Sequence, residues 1–116
     1  IGDFLLERIE WAVSQGVKRD QIIVDPGIGF GKTLDHNLSI LKHLDELKDL
    51  GCPLLLGHSR KAFIGKILDR EIDDRDTGTA IVSALSCHKK VDILRVHDVD
   101  KTVQAIKMAA AINSAQ

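Results

Sequence analysis

Tyrosine is absent from this 116-residue chain, and three Phe and one Trp are all of its aromatic residues. Single-stranded nucleic acid is bound on stacked aromatic platforms, and Phe4, Trp11, Phe30 and Phe63 offer little to build one from. An excess of one charge is lacking too. Lys and Arg number 16 against 17 Asp and Glu, a formal net charge of -1, which gives no bulk attraction to nucleic acid or to an anionic membrane. No apolar run approaches the ~20 residues of a membrane-spanning helix. Cys52 and Cys87 lie in apolar segments without ligand spacing, the usage of reduced thiols in a cytoplasmic protein. What remains is an ordinary globular composition, 44% hydrophobic and 28% charged, with one domain's worth of length.

Within that composition one pattern occurs three times. Ile22-Ile23-Val24 runs into Asp25 and then into a loop with glycines at 27, 29 and 31. Leu54-Leu55-Leu56, bounded by Gly51, Pro53 and Gly57, delivers His58-Ser59-Arg60-Lys61. Ile93-Leu94-Arg95-Val96 delivers His97-Asp98. A short apolar run, a polar terminus and then helix-period sequence is the grammar of successive βα units, with functional groups at the carboxyl ends of parallel strands. The spacing predicts helices over 3–15, 36–50, from about 60, from Thr77 or Thr79 to about 90, and over 100–113. Strands are predicted at 22–25, 53–57 and 92–96. A three-strand layer leaves two raw edges, and the chain opens on helical sequence, so it reads as part of something longer.

The loop Gly27–Thr33 invites comparison with nucleotide-binding motifs and fails them. G-x-x-x-x-G-K-[ST] needs glycine at position 26, where Pro26 stands, and glycines at 27, 29 and 31 do not fit G-x-G-x-x-G. His36, His43, His58 and His88 show no ligand spacing and are expected as surface or helix residues without a metal. The run 69–76 is expected as a solvated connection. Ser59-Arg60-Lys61 sets two cations at a helix start, against the dipole, which points to an anionic or electron-rich ligand. A pairing of Lys61 with Asp25 across the sheet is permitted. Arg95 and His97 share a strand face, a donor pair suited to phosphate or diphosphate or, alternatively, an edge Arg paired with an Asp.

The stretches DPGIGFGKT (25–33), LLLGHSRKAFIG (54–65), RDTGTA (75–80) and RVHDV (95–99), in this order, resemble the C-terminal portion of the dihydropteroate synthase family across nearly the whole chain. The resemblance implies an α/β chain forming about three βα units of a (β/α)₈ TIM barrel, with residues 1–116 as one partial pterin-binding domain holding the sixth to eighth strands. It implies condensation of 6-hydroxymethyl-7,8-dihydropterin diphosphate with 4-aminobenzoate in folate synthesis, with sulfonamides as competitors. By motif, Asp25 meets the pterin ring. Lys61 contacts the pterin beside the aminobenzoate pocket, which Gly29, Phe30, Ser59 and Arg60 shape. Gly57 belongs to the substrate site, and Arg95 and His97 hold the diphosphate. Lys61, Arg95 and His97 are the implied catalytic set. Mg²⁺ is implied through the diphosphate and residues outside these 116, so the segment is expected to be inactive alone. A homodimer through the last helices is also implied. Methyl transfer on a related pterin barrel is disfavoured by Ser59-Arg60-Lys61, and a non-catalytic assembly module is the third reading.

Overall fold

The computed structural model describes all of residues 1–116. Helix α1 spans Gly2–Ser14 and turns at Gly16, whose φ of 100° needs glycine. The chain then reaches Val24, Asp25 and the glycine loop. Helix α2, Leu34–Lys42, is started by Thr33, whose Oγ1 accepts the His36 N–H at 3.2 Å. Strand β1, Leu55–Leu56, leads to α3, Ala62–Leu68, and then to α4, Asp76–Cys87. Strand β2, Ile93–Leu94, leads to α5, Val99–Asn113, capped by Asp98, which accepts the Lys101 N–H at 3.0 Å.

The three apolar runs lie side by side and parallel. Val24 bridges Leu54, and β1 pairs with β2 in the register Leu55↔Ile93 and Leu56↔Leu94. The bonds run Val24 N to Pro53 O at 2.9 Å, Leu55 N to Val24 O at 2.8 Å and Arg95 N to Leu56 O at 3.1 Å. Pairing is shorter than the sequence suggests, for local reasons. Pro53 has no N–H to give, and the Leu54 N–H goes to the Asp92 carboxylate at 2.8 Å instead of to a neighbouring strand.

The helix predicted over 36–50 is two elements. At His43 the backbone N–H and the ring Nδ1, at 2.8 Å, both turn to the Ser39 carbonyl. The chain then tightens into a 3₁₀ stretch, Leu44–Leu50, closed by Gly51 in the left-handed region. A three-residue repeat eclipses positions i and i+3, which buries Leu44 and Leu47 together.

Alternation along the strands sends Val24, Leu54 and Leu56 toward the helices, into a core with Ile28, Leu44, Leu47, Phe63 and Ile64. Ile23, Leu55 and Ile93 take the opposite face, where Ile23 and Ile93 are exposed. The result is a slab of 43 × 39 × 21 Å with a radius of gyration of 15.0 Å, against about 13 Å for a compact domain of this length.

Candidate functional site

The carboxyl ends of the three parallel runs deliver their polar groups to one rim. Asp25 follows the first run. Its Oδ1 accepts the Gly27 N–H at 2.8 Å, and its Oδ2 lies 3.6 Å from Nη1 of Arg95, two strands away. Arg95 thus stands beside an Asp, as in the edge pairing, and also lines the cavity described next. Lys61 takes a different position from the permitted pairing with Asp25. Its Nζ stands 4.2 Å from the centroid of the Phe30 ring, a cation–π arrangement. Gly29 makes room for that lysine, since a Cβ there would sit 3.1 Å from the Lys61 Cδ.

Beside these groups lies an open cavity of about 520 Å³, lined by Gly57, Ser59, Arg60, Lys61, Ile72, Asp73, Arg95 and His97. Gly57 is required by its neighbour, because a Cβ at that position would overlap the Arg95 guanidinium. Ser59 Oγ lies 2.6 Å from Nδ1 of His97 and accepts the His97 backbone N–H at 3.1 Å. A smaller cavity of about 320 Å³ shares Arg60, Lys61 and Ile72 and adds Gly29, Leu34 and Phe63. A slightly larger cavity of about 580 Å³, lined by residues such as Ile1, His36 and His43, lies away from the strand ends.

Two latches hold the loops that build this rim, and sequence reasoning missed both. The first holds the glycine loop. Asn37, buried within α2, accepts the Gly29 N–H at 3.0 Å. Lys32 donates to the carbonyls of Gly27 at 2.9 Å and Phe30 at 3.2 Å, so this lysine is spent on its own loop.

The second latch corrects the expectation that 69–76 is only a solvated connection. Arg60 has a left-handed backbone, φ 57°, a conformation costly for a residue with a Cβ. Four contacts hold it there. Asp76 takes the guanidinium in a two-pronged pair, Nε at 2.9 Å and Nη2 at 3.0 Å. The Thr79 hydroxyl accepts the Arg60 N–H at 3.1 Å, and Arg75 Nη1 donates to the Arg60 carbonyl at 2.9 Å. The Arg60 hydrogen bond holds the Asp76 carboxyl below the usual carboxylate range. Gly78 lets α4 approach, since a Cβ would lie 2.5 Å from Cγ2 of Ile64 and 2.8 Å from Cδ1 of Leu68 in α3. The signal was in the sequence as RDTGTA, but charge density alone concealed which acid faces inward.

His58 is a second correction. It is fully buried, not a surface residue, with Nε2 at 2.8 Å from Ser83 Oγ and 3.1 Å from the Thr79 carbonyl. Ser83 in turn donates to Thr79 O at 2.9 Å. Burial pushes the imidazole below its ordinary value, outweighing the carbonyls that favour its charged form. The other three histidines of that set, His36, His43 and His88, are exposed as expected.

A sequence profile described as "Pterin binding enzyme" matches residues 1–97. The chain belongs to the pterin binding enzymes. Its fold, three βα units with parallel strands, is part of a (β/α)₈ barrel. A dihydropteroate synthase from Synechocystis is 46% identical over 110 residues, covering 94% of this chain and 38% of that protein. Xanthomonas albilineans dihydropteroate synthase, solved with 7,8-dihydropteroate and with 4-aminobenzoic acid, superposes with a TM-score of 0.95 at 38% identity. It covers 99% of this chain, which spans 44% and 42% of the solved chains. The Yersinia pestis enzyme in a sulfonamide complex gives a TM-score of 0.94 at 38% identity, covering 98% of this chain and 42% of its own. The pterin-binding chain thus spans about two fifths of the length of these relatives.

Proposed function

We propose that this pterin-binding chain supplies part of the active site of a dihydropteroate synthase. That enzyme joins 6-hydroxymethyl-7,8-dihydropterin diphosphate to 4-aminobenzoate and releases 7,8-dihydropteroate and diphosphate. One observation carries the reading. A carboxylate, Asp25, stands at the end of one strand, while Arg60, Lys61, Arg95 and His97 surround a cavity at the ends of the next two. A carboxylate oriented by a backbone N–H suits the adjacent N–H donors of a pterin edge. Fixed cations and donors suit charge gathering on a departing diphosphate.

In this reading the C–O bond to diphosphate breaks first, with its electrons leaving on the diphosphate. The delocalised pterin cation is then attacked by the neutral amine of 4-aminobenzoate, whose N–C bond forms as its proton passes to solvent in the open cavity. Lys61, poised over Phe30, borders the ring site and the amine site. The smaller cavity, lined by Leu34 and Phe63 together with cations such as Arg60 and Lys61, has the chemistry of an aromatic carboxylate pocket. Sulfonamides, which share that shape, would compete there.

No group of His, Cys, Asp or Glu side chains placed to hold a metal ion occurs in the chain, and the cavity sets Arg60, Lys61 and Arg95 against Asp73 alone. A divalent ion does not fit these residues, so Mg²⁺ accompanying the diphosphate would take its protein ligands from outside the segment. No helix is long and apolar enough to cross a membrane, and the unpaired thiols of Cys52 and Cys87 suit a cytoplasmic enzyme. Exposed Ile81 and Leu85 on α4 and Met108 and Ile112 on α5 support a second copy of the complete protein as the partner of these packed helices.

The deciding experiment uses the complete protein. Arg95→Ala should lower turnover about 10²–10³-fold, the usual cost of one preplaced donor. Affinity for the pterin alcohol, which lacks the diphosphate, should stay nearly intact. If alcohol affinity falls as far as turnover, Arg95 shapes the ring site and the diphosphate role is wrong.

A further inference from the structure

We infer that Ser59 is a positioning residue that fixes the His97 imidazole as an Nε2–H donor facing the diphosphate cavity; this rests on the function proposed above. Ser59 is 8% exposed, and its Oγ has two partners, both from His97: the backbone N–H at 3.1 Å and ring Nδ1 at 2.6 Å. The backbone N–H can only donate, so it occupies one lone pair of the hydroxyl oxygen. Nδ1 is the one protein acceptor within reach of the hydroxyl proton. Were Nδ1 protonated in the neutral ring, two N–H groups would converge on Oγ and the buried hydroxyl proton would be left unpaired, which buried donors rarely are.

Hydrogen-bond accounting therefore selects the tautomer in which Ser59 donates to Nδ1 and the ring proton sits on Nε2. His97 lines the cavity with Arg60, Lys61 and Arg95, and Nε2 is the ring nitrogen that Ser59 leaves free. With Nδ1 covered and Nε2 protonated, the neutral ring offers a donor and no base. His97 thus hydrogen-bonds an anionic oxygen and takes no proton from the attacking amine. Ser59 acts through His97, from the position next to Arg60, so one short loop shapes both the cationic wall and the orientation of the facing ring.

The complete protein, labelled with ¹⁵N-histidine, tests this by long-range proton–nitrogen correlation, which shows which ring nitrogen of His97 carries hydrogen. The wild type should show Nε2–H. Ser59→Ala should show both tautomers and bind inorganic diphosphate on the order of tenfold more weakly, with pterin-alcohol affinity unchanged. Ser59→Thr, which keeps a hydroxyl, should restore both readouts. Nδ1–H in the wild type, or an unaltered tautomer in folded Ser59→Ala, overturns the inference. A wild type with Nε2–H that takes no inorganic diphosphate supports the Ser59–His97 coupling and overturns the proposed anion site, which separates the two claims.

Discussion

Replacing Gly57 by alanine in the complete protein should disable the anion site while leaving the fold nearly as stable. Gly57 does not have a left-handed backbone, so alanine meets no intrinsic conformational penalty. The three atoms nearest its added methyl all belong to Arg95: Nη2, which the methyl would overlap, Cζ at 2.7 Å and Nε at 3.1 Å. Ordinary contact begins at 3.4 Å, so the guanidinium carbon must retreat by at least about 0.7 Å, and Nη2 by more. The Arg95–Asp25 separation of 3.6 Å is already at the outer edge of an ion pair, and a retreat of that size breaks it. The stability cost is small because the two side chains are 58% and 34% exposed, and exposed pairs contribute about 0–1 kcal/mol. Alanine also recovers about 0.4–1 kcal/mol through the unfolded chain. Thermal unfolding should therefore change by no more than about 1 kcal/mol. Turnover should fall about 10²-fold, the cost of a 1 Å misplacement of a catalytic contact. Steady-state kinetics and calorimetric unfolding on the same preparation test both halves. Normal turnover would refute the placement of Arg95 in the anion site, and an unfolded variant would refute the claim that Arg95 is the group opposing the methyl.

Two further outcomes follow from packing and burial. Gly78→Ala should destabilise the complete protein, because overlap with Ile64 and Leu68 costs about 1–3 kcal/mol against about 1 kcal/mol recovered in helix propensity; a raised melting temperature would contradict the close approach of α3 and α4. His58 should make stability pH-dependent. Its folded value lies below the ordinary 6.5, so the unfolded chain takes the proton first, and the stabilisation is complete above about 6.5 and declines as pH falls. Asp76 and Asp92 are lowered from 3.8 by Arg60 and Lys48 respectively. Their contributions persist until pH falls below that value, which leaves the window between to His58. Denaturant midpoints from about pH 7.5 to 5 should fall for the wild type and less steeply for His58→Gln; parallel slopes would count against the buried neutral ring.

The strand ends were legible because each combines a composition switch with a chemical one: β-branched or leucine residues stop, and Asp25, Ser59-Arg60-Lys61 or Arg95-x-His97 begins. Their convergence followed from parallel βα order. The two latches were not legible for the opposite reason. Asn37 shares a helix face with Leu34, Ile40 and Leu41, so periodicity says that it faces the core but not that its amide ends on the Gly29 N–H. Asp76 is one acid among several, and only its position at the first turn of α4, opposite a left-handed Arg60, distinguishes it. His58 looked like part of the polar terminus, yet a strand that ends on the helix side buries it. The division of the second helix at His43 depends on a ring-to-carbonyl bond that no periodicity encodes.

The row Ile23, Leu55 and Ile93 has a consequence for how substitutions here will be tolerated. On the helix side of the slab, each core residue answers to neighbours within these 116 positions, so compensating exchanges can be sought inside the segment. On the opposite side the apolar row has no such neighbours, and its fit is decided by strands that the longer relatives carry elsewhere. Shuffling this segment between related barrels should therefore fail at that seam before it fails in the core. Double-mutant cycles between Leu55 and candidate inward residues of other strands would show strong coupling, while Leu54, one position away, would couple only to residues such as Val24 and Phe63 on its own side.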